Sequence, residues 1–254
     1  MPTEPPDPAT GRPAGHRTPS EPRPGRSAGS IRARVRAEMV DEIKATARRH
    51  LATDGANLSL RAVARDMGMV SSALYRYFAS RDDLLTALII DAYNDCGAAA
   101  EAADAGVADR ADLAGRWLAV CHGVRHWALA HPAEYALVFG SPVPGYSAPQ
   151  DTVVAAARTP AALIGVLADG HARGALADPG CDDVDPALRT DLARIRALIA
   201  PALPEALLAD GALGWTQLFG AVSFELFGQL NNGVDARDAY FDHQMRRITG
   251  LLGL

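Results

Sequence analysis

The sequence predicts an all-α protein, and three features lead there. Apolar residues recur at three- and four-residue steps, the period of a helix face. Beyond residue 105 alanine and leucine dominate, and no stretch alternates in the manner of a half-buried strand. Near the N-terminus two short helical patterns meet at a single glycine, the layout of a helix-turn-helix. The expected architecture is an N-terminal three-helix domain containing that motif, then a larger helical domain, with about nine to ten helices in total.

Composition sets the outer bounds. At 254 residues and 48% hydrophobic, the chain can bury a sizeable core. Cys96, Cys121 and Cys181 stand far apart with no CxxC pair, which argues against a disulfide framework or a structural zinc and points to a reducing cytoplasm. The opening residues MPTEPPDPATGRPAG lack the apolar stretch of a signal peptide, and apolar runs such as Leu84 to Ile90 are too short to span a bilayer, so neither export nor membrane insertion is expected. Charge is divided unevenly. Residues 1–90 hold 14 Lys and Arg against 10 Asp and Glu, whereas residues 91–254 hold 11 against 20. A basic front on an acidic protein suits a polyanion partner at that end.

Residues 1–30 are rich in Pro, Gly, Ser and Arg, bury too little to offset ordering entropy, and are expected to form a disordered tail. Its Arg12, Arg17, Arg23 and Arg26, with Arg32 and Arg34 beyond, have the character of a basic arm that follows phosphates or a minor groove. From Val35 the period becomes helical: Val40, Ile43, Ala47 and Leu51 form a stripe that ends at Asp54-Gly55, where glycine can cap. Ser59 is placed as the N-cap of a second helix carrying Leu60, Val63, Ala64 and Met67 and stopping at Gly68. A third helix is expected from Ser71 or Ser72 to Ala79, with Leu74 and Phe78 turned inward. Ser80-Arg81-Asp82-Asp83 reads as a capping box, with Asp in place of the usual Glu, opening a fourth helix from Arg81 to roughly Ala103. Later helices are expected over 110–130, 133–139, 150–175, 186–200, 205–231 and 235–252.

The second and third helices carry the functional pattern. Ala64 is small where they cross, Gly68 supplies the turn, and the third helix leaves Ser71, Ser72, Ala73, Tyr75, Arg76 and Tyr77 on the solvent side, free to meet phosphates or base edges in a major groove. The segment LSLRAVARDMGMVSSALYRYFASRDDLL, with Ala64, Gly68, the LYRYF stretch at Leu74 to Phe78 and the charged start of helix four, resembles the DNA-binding domain of the tetracycline-repressor (TetR) family over roughly residues 36–85. That resemblance implies phosphate or sugar contacts from Ser59, Tyr75, Tyr77 and Arg81, with Arg61 in reach of DNA and Ser71, Ser72 and Ala73 meeting bases. The organisation expected is therefore a tail over 1–30, a DNA-binding domain over 31–90 and an effector-binding and dimerisation domain over 91–254.

The C-terminal part resembles one subgroup of the same family, with a WHG-type effector and dimerisation domain, through RHWALAHPAEYALVFGSPVPGY at Arg125 to Tyr146 and LGWTQLFGAVSFELFGQL at Leu213 to Leu230. Of 15 aromatic residues 12 lie beyond residue 90, and Trp117, Trp127, Tyr135, Phe139, Trp215 and Phe219 are candidates for an apolar ligand pocket, with core filling as the plain alternative for each. The resemblance also implies a homodimer built from roughly 205–231 and 235–252, which sets two recognition helices about 34 Å apart on a double-stranded operator. Glu225 sits in an apolar helix and calls for an arginine partner or a pocket position. His122 and His126 stand four apart with His131 nearby, but without a third ligand of defined spacing no metal is expected. With no GxSxG, HExxH or phosphate-cradling glycine loop, neither enzyme chemistry nor a cofactor is expected. The rivals are a helical binding protein or enzyme whose helix-turn-helix only packs, and an activator, or a regulator without a ligand, in place of a repressor released by a small, mainly apolar molecule.

Overall fold

The computed structural model describes residues 1, 3, 28–55, 57–180 and 184–254. The expected tail, with Arg12, Arg17, Arg23 and Arg26, lies outside the described residues except for Met1, Thr3 and Ala28 to Ser30; Cys181 also lies outside them. The chain divides into two units, Met1–Met39 and Val40–Leu254. The first holds no buried side chain among its described residues, and Arg34 and Glu38 form an exposed ion pair one helical turn apart.

Eleven helices and no strand are found among the described residues. Helix α1 (Ala28–Asp54) starts inside the stretch expected to be tail and ends at Gly55, where φ is 58°. Its predicted stripe is buried at Ile43, Ala47 and Leu51 and half-buried at Val40. Helix α2 (Leu60–Asp66) is capped by Ser59, whose Oγ accepts from Ala62 N at 3.4 Å. It stops where Gly68, at φ 66°, lets the amide of Met69 reach back to the Ala64 carbonyl (2.8 Å) and its own amide to Arg65 (3.0 Å). That paired closure needs a left-handed residue, which glycine supplies without a Cβ penalty.

The third helix is shorter than expected. Helix α3 (Ser71–Leu74) is a single turn, and the chain then tightens through bonds from Arg76 to Ala73 and Tyr77 to Leu74, three residues back. Leu74 and Phe78 are nonetheless buried. Helix α4 (Arg81–Ala105) is opened by Ser80, whose Oγ accepts from Asp83 N at 3.0 Å, with Asp82 and Asp83 complementing the helix dipole. It runs straight through residue 90, so the expected functional boundary there is not a break in the chain's packing.

Helices α5 (Leu113–Ala130), α6 (Pro132–Phe139), α7 (Thr152–Ala156), α8 (Arg158–Ala172), α9 (Pro186–Ile199), α10 (Glu205–Leu226) and α11 (Arg237–Leu251) complete the fold. The helix expected over 150–175 is two, which raises the count above the expected nine to ten. Pro160 has no N–H for the carbonyl of Ala156, and its ring crowds that carbonyl, so α7 ends there. Likewise α10 ends at Leu226, not near 231, because the chain leaves the helix through Gly228 at φ 81°.

Helices α5 and α8 pack on α4, α10 on α8 and α9, and α11 on α5, around Trp117, Val120, Cys121, Leu167, Leu218 and Val222. Helix α10 lies close on α5 at one point: a Cβ on Gly214 would stand 2.6 Å from Cζ2 and 3.0 Å from Cη2 of Trp117. Among the described residues no helix is long and apolar enough to cross a membrane.

Candidate nucleic-acid interface

The helix-turn-helix is held from two sides. His50 of α1 meets Asp66 of α2 at 2.7 Å, and Lys44 and Arg48 of α1 both reach Asp91 of α4, at 3.0 and 2.7 Å. Buried Val63, Ala64, Leu74 and Phe78 fill the space beneath. The candidate contacts stand outward: Ser59, Arg61, Ser72, Tyr75 and Arg76 are exposed, as is Val70 between the two helices, while Ser71, Ala73, Tyr77 and Arg81 are half-buried. The sequence-predicted DNA-contacting residues thus lie on α2, on α3 and its following turn, and at the start of α4.

Four of them come together. Ser59, Arg61, Tyr75 and Arg81 line one open groove of about 500 Å³ with Leu58 and Ser80. The N-terminus of α4 lies at this groove, where the free backbone N–H groups of a helix start favour an anion. Arg81 has a second role that sequence reasoning missed. Its Nε donates to the Leu58 carbonyl at 3.2 Å and a terminal nitrogen reaches Asp82 at 3.3 Å, so it ties the entry of α2 to α4 as well as facing the groove. No local signal announces that bond, since its partners are 23 residues apart.

The six candidate ligand residues separate into two groups. Trp117, Trp127 and Tyr135 are buried in the core, and the indole Nε1 atoms of both tryptophans have no hydrogen-bond partner among the described residues. The Tyr135 hydroxyl donates to the Phe219 carbonyl at 3.1 Å and meets Ser223 at 2.8 Å; burial pushes its pKa up to about 12, against the hydrogen bond from Ser223. Phe139, Trp215 and Phe219 instead line a chamber of about 350 Å³, with Tyr93 of α4 and the α7–α8 junction as its other walls. Tyr93 is the residue the sequence reading passed over, although it is the only aromatic on α4. Phe139 also lines a cleft of about 750 Å³ that reaches Leu51 and Gly55 at the end of α1.

The two buried arginines of this domain are both paired. Arg125, only 3% exposed, grips Glu225 through two bonds of 2.7 Å, which settles that carboxylate's partner, and it reaches exposed Asp238 at 2.7 Å. Arg116, also buried, bridges Asp104 and Asp169. His122 pairs with Asp242 at 3.2 Å, and His126 is exposed to solvent.

A helical head with an exposed recognition turn, continuous through α4 with a larger helical domain, defines a helix-turn-helix regulator of transcription. The chain belongs to the TetR family. Residues 43–88 match the family model described as bacterial regulatory proteins of the tetR family, and residues 117–248 match that of the tetracyclin repressor-like C-terminal domain. It is 40% identical over 231 residues to the HTH-type transcriptional regulator Mb1846 of Mycobacterium bovis, a match covering 86% of this chain and 94% of that one. The crystal structure of the regulatory protein SCO4313 superposes with a TM-score of 0.70 at 36% identity, covering 86% of this chain and 98% of that one. PfmR of Thermus thermophilus, a TetR family regulator, shares the fold with a TM-score of 0.53 at 18% identity, over 80% of this chain and 97% of its own. The family and these curated relatives are regulators of transcription, not enzymes.

Proposed function

We propose that this DNA-binding regulator acts in the cytoplasm as a homodimeric repressor, binds a pseudo-palindromic operator, and is released by a small, mainly apolar molecule held in the C-terminal domain. The observation that carries the reading is the groove where Ser59, Arg61, Tyr75 and Arg81 meet the N-terminus of α4 beside the recognition turn. In this reading Ser71, Ser72 and Ala73 meet bases, and Ser59, Arg61, Tyr75, Tyr77 and Arg81 meet phosphates or sugars. Dimerisation through α10 and α11 is supported by the apolar surface they leave open on one chain: Leu213, Phe224 and Phe227 on and just after α10, and Tyr240 and Leu251 on α11, are exposed. Release follows only if the ligand prefers a spacing of the two recognition helices that fits the operator less well.

The test is an anisotropy titration against DNA from upstream of the protein's own gene, at several salt concentrations. Binding should be sequence-selective and fall steeply with salt, as displaced counterions require. Arg61→Ala should weaken binding on every sequence and reduce the slope of log K against log salt by about 1. Arg81→Ala should do more, because the α2 entry loosens as well. Binding indifferent to salt and to both substitutions would remove the assigned docking face.

A further inference from the structure

The chamber walled by Tyr93, Phe139, Trp215 and Phe219 has a chemistry that narrows what it can hold, and the inference rests on the regulator reading above for its biological sense. No Lys, Arg, His, Asp or Glu is among its lining residues. Arg158 adjoins it in sequence, between Ala157 and Thr159, but its guanidinium is turned away onto Glu101 (2.6 and 2.9 Å) and Asn94 (2.9 Å). The wall offers two hydroxyls, each weakly engaged: Tyr93 donates to the Val138 carbonyl at 3.4 Å, and Thr159 to Cys96 Sγ at 3.5 Å. Burial raises the pKa of the Tyr93 phenol, helped by the neighbouring Tyr146 and Cys96, and lifts that of the Cys96 thiol to about 11, so both stay uncharged. An ionised ligand would lose part of its hydration on this apolar wall and gain no counter-charge in return.

The rings of the wall pack on one another at varied angles. Phe139 and Phe219 lie 4.2 Å apart at 40°, Tyr93 meets Phe139 edge-on at 5.7 Å, and Trp215 meets Phe219 edge-on at 6.0 Å. Such walls suit a flat ring system through offset and edge contacts. Val153 and Trp215 are 49% and 39% exposed while Tyr93, Phe139 and Phe219 are half-buried, so the chamber stands open to solvent along its Val153 and Trp215 walls. We propose that this chamber is the effector site and that it takes a neutral, flat aromatic molecule bearing at most a hydroxyl or carbonyl, and rejects the corresponding anion.

The experiment is calorimetry on the full chain with two probes of one shape, 2-naphthalenemethanol and 2-naphthoate, at neutral pH. The alcohol should bind saturably, one per chain, and at least about tenfold more tightly than the carboxylate. Ala156→Phe, which fills the chamber from α7, should abolish binding of the alcohol while the helical circular dichroism stays as it is. No binding of the alcohol, equal or tighter binding of the carboxylate, or undiminished binding by a folded Ala156→Phe protein overturns the proposal; if that variant does not fold, the charge preference of the unaltered chain decides alone. Operator binding retained with no preference for the alcohol removes this inference and leaves the regulator reading. Preference for the alcohol with no operator binding does the reverse.

Discussion

Replacing Glu225 with alanine should lower the unfolding free energy by about 3–5 kcal/mol, the range found when one member of a buried ion pair is removed. Arg125 is 3% exposed and lies across α5, α10 and α11, with its guanidinium against Glu225 and over the Phe241 ring at 5.1 Å. Its pKa is raised first by the hydrogen bond to Glu225, against the opposing effect of burial. Without Glu225 the remaining carboxylate is Asp238, whose side chain is 92% exposed and therefore compensates little through water. Chemical denaturation of the variant checks this. The double replacement Arg125→Met with Glu225→Met should recover most of the loss, because apolar groups of similar size replace a buried pair at little cost. A loss under about 1 kcal/mol in the single variant would mean that water reaches the guanidinium and that the pair is not a buried one.

Gly214→Ala should cost about 1–3 kcal/mol, and the cost should depend on what stands at residue 117. The new methyl would meet Cζ2 and Cη2 of the Trp117 indole at 2.6 and 3.0 Å, and Ile248 Cγ2 at 3.3 Å. Trp117 is fully buried, so the indole has little room to give. Phenylalanine lacks both indole atoms. In a Trp117→Phe background the same glycine replacement should therefore cost at least about 0.5 kcal/mol less, a coupling that a double-mutant cycle on thermal or denaturant midpoints reads directly. Strict additivity would show that α10 shifts away from α5 as a body in place of pressing on the indole.

Much of the head was legible because its determinants are local. The caps at Ser59 and Ser80, the turn at Gly68 and the inward pair Leu74 and Phe78 are each set by residues within one helical turn, and the structure has them all. Legibility fell where a single residue cuts a long pattern. Pro160 divides α7 from α8 and Gly228 ends α10, although the apolar period continues through both places. The aromatic residues were harder still. Periodicity places a ring on an inward face but does not say whether that face meets another side chain or a space, so Trp117, Trp127 and Tyr135 were candidates beside Phe139, Trp215 and Phe219. The Arg125–Glu225 pair joins residues 100 apart, and only the tertiary fold shows which arginine Glu225 meets.

One ring belongs to two volumes. Phe139, the last residue of α6, bounds both the chamber beside Tyr93 and the cleft that touches Leu51 and Gly55 at the end of α1. A shift of that ring changes the shape of both. Under the proposed function, in which a molecule in the chamber lowers affinity for DNA, thermodynamic linkage makes that influence mutual: DNA on the recognition face would lower affinity for the molecule by the same factor.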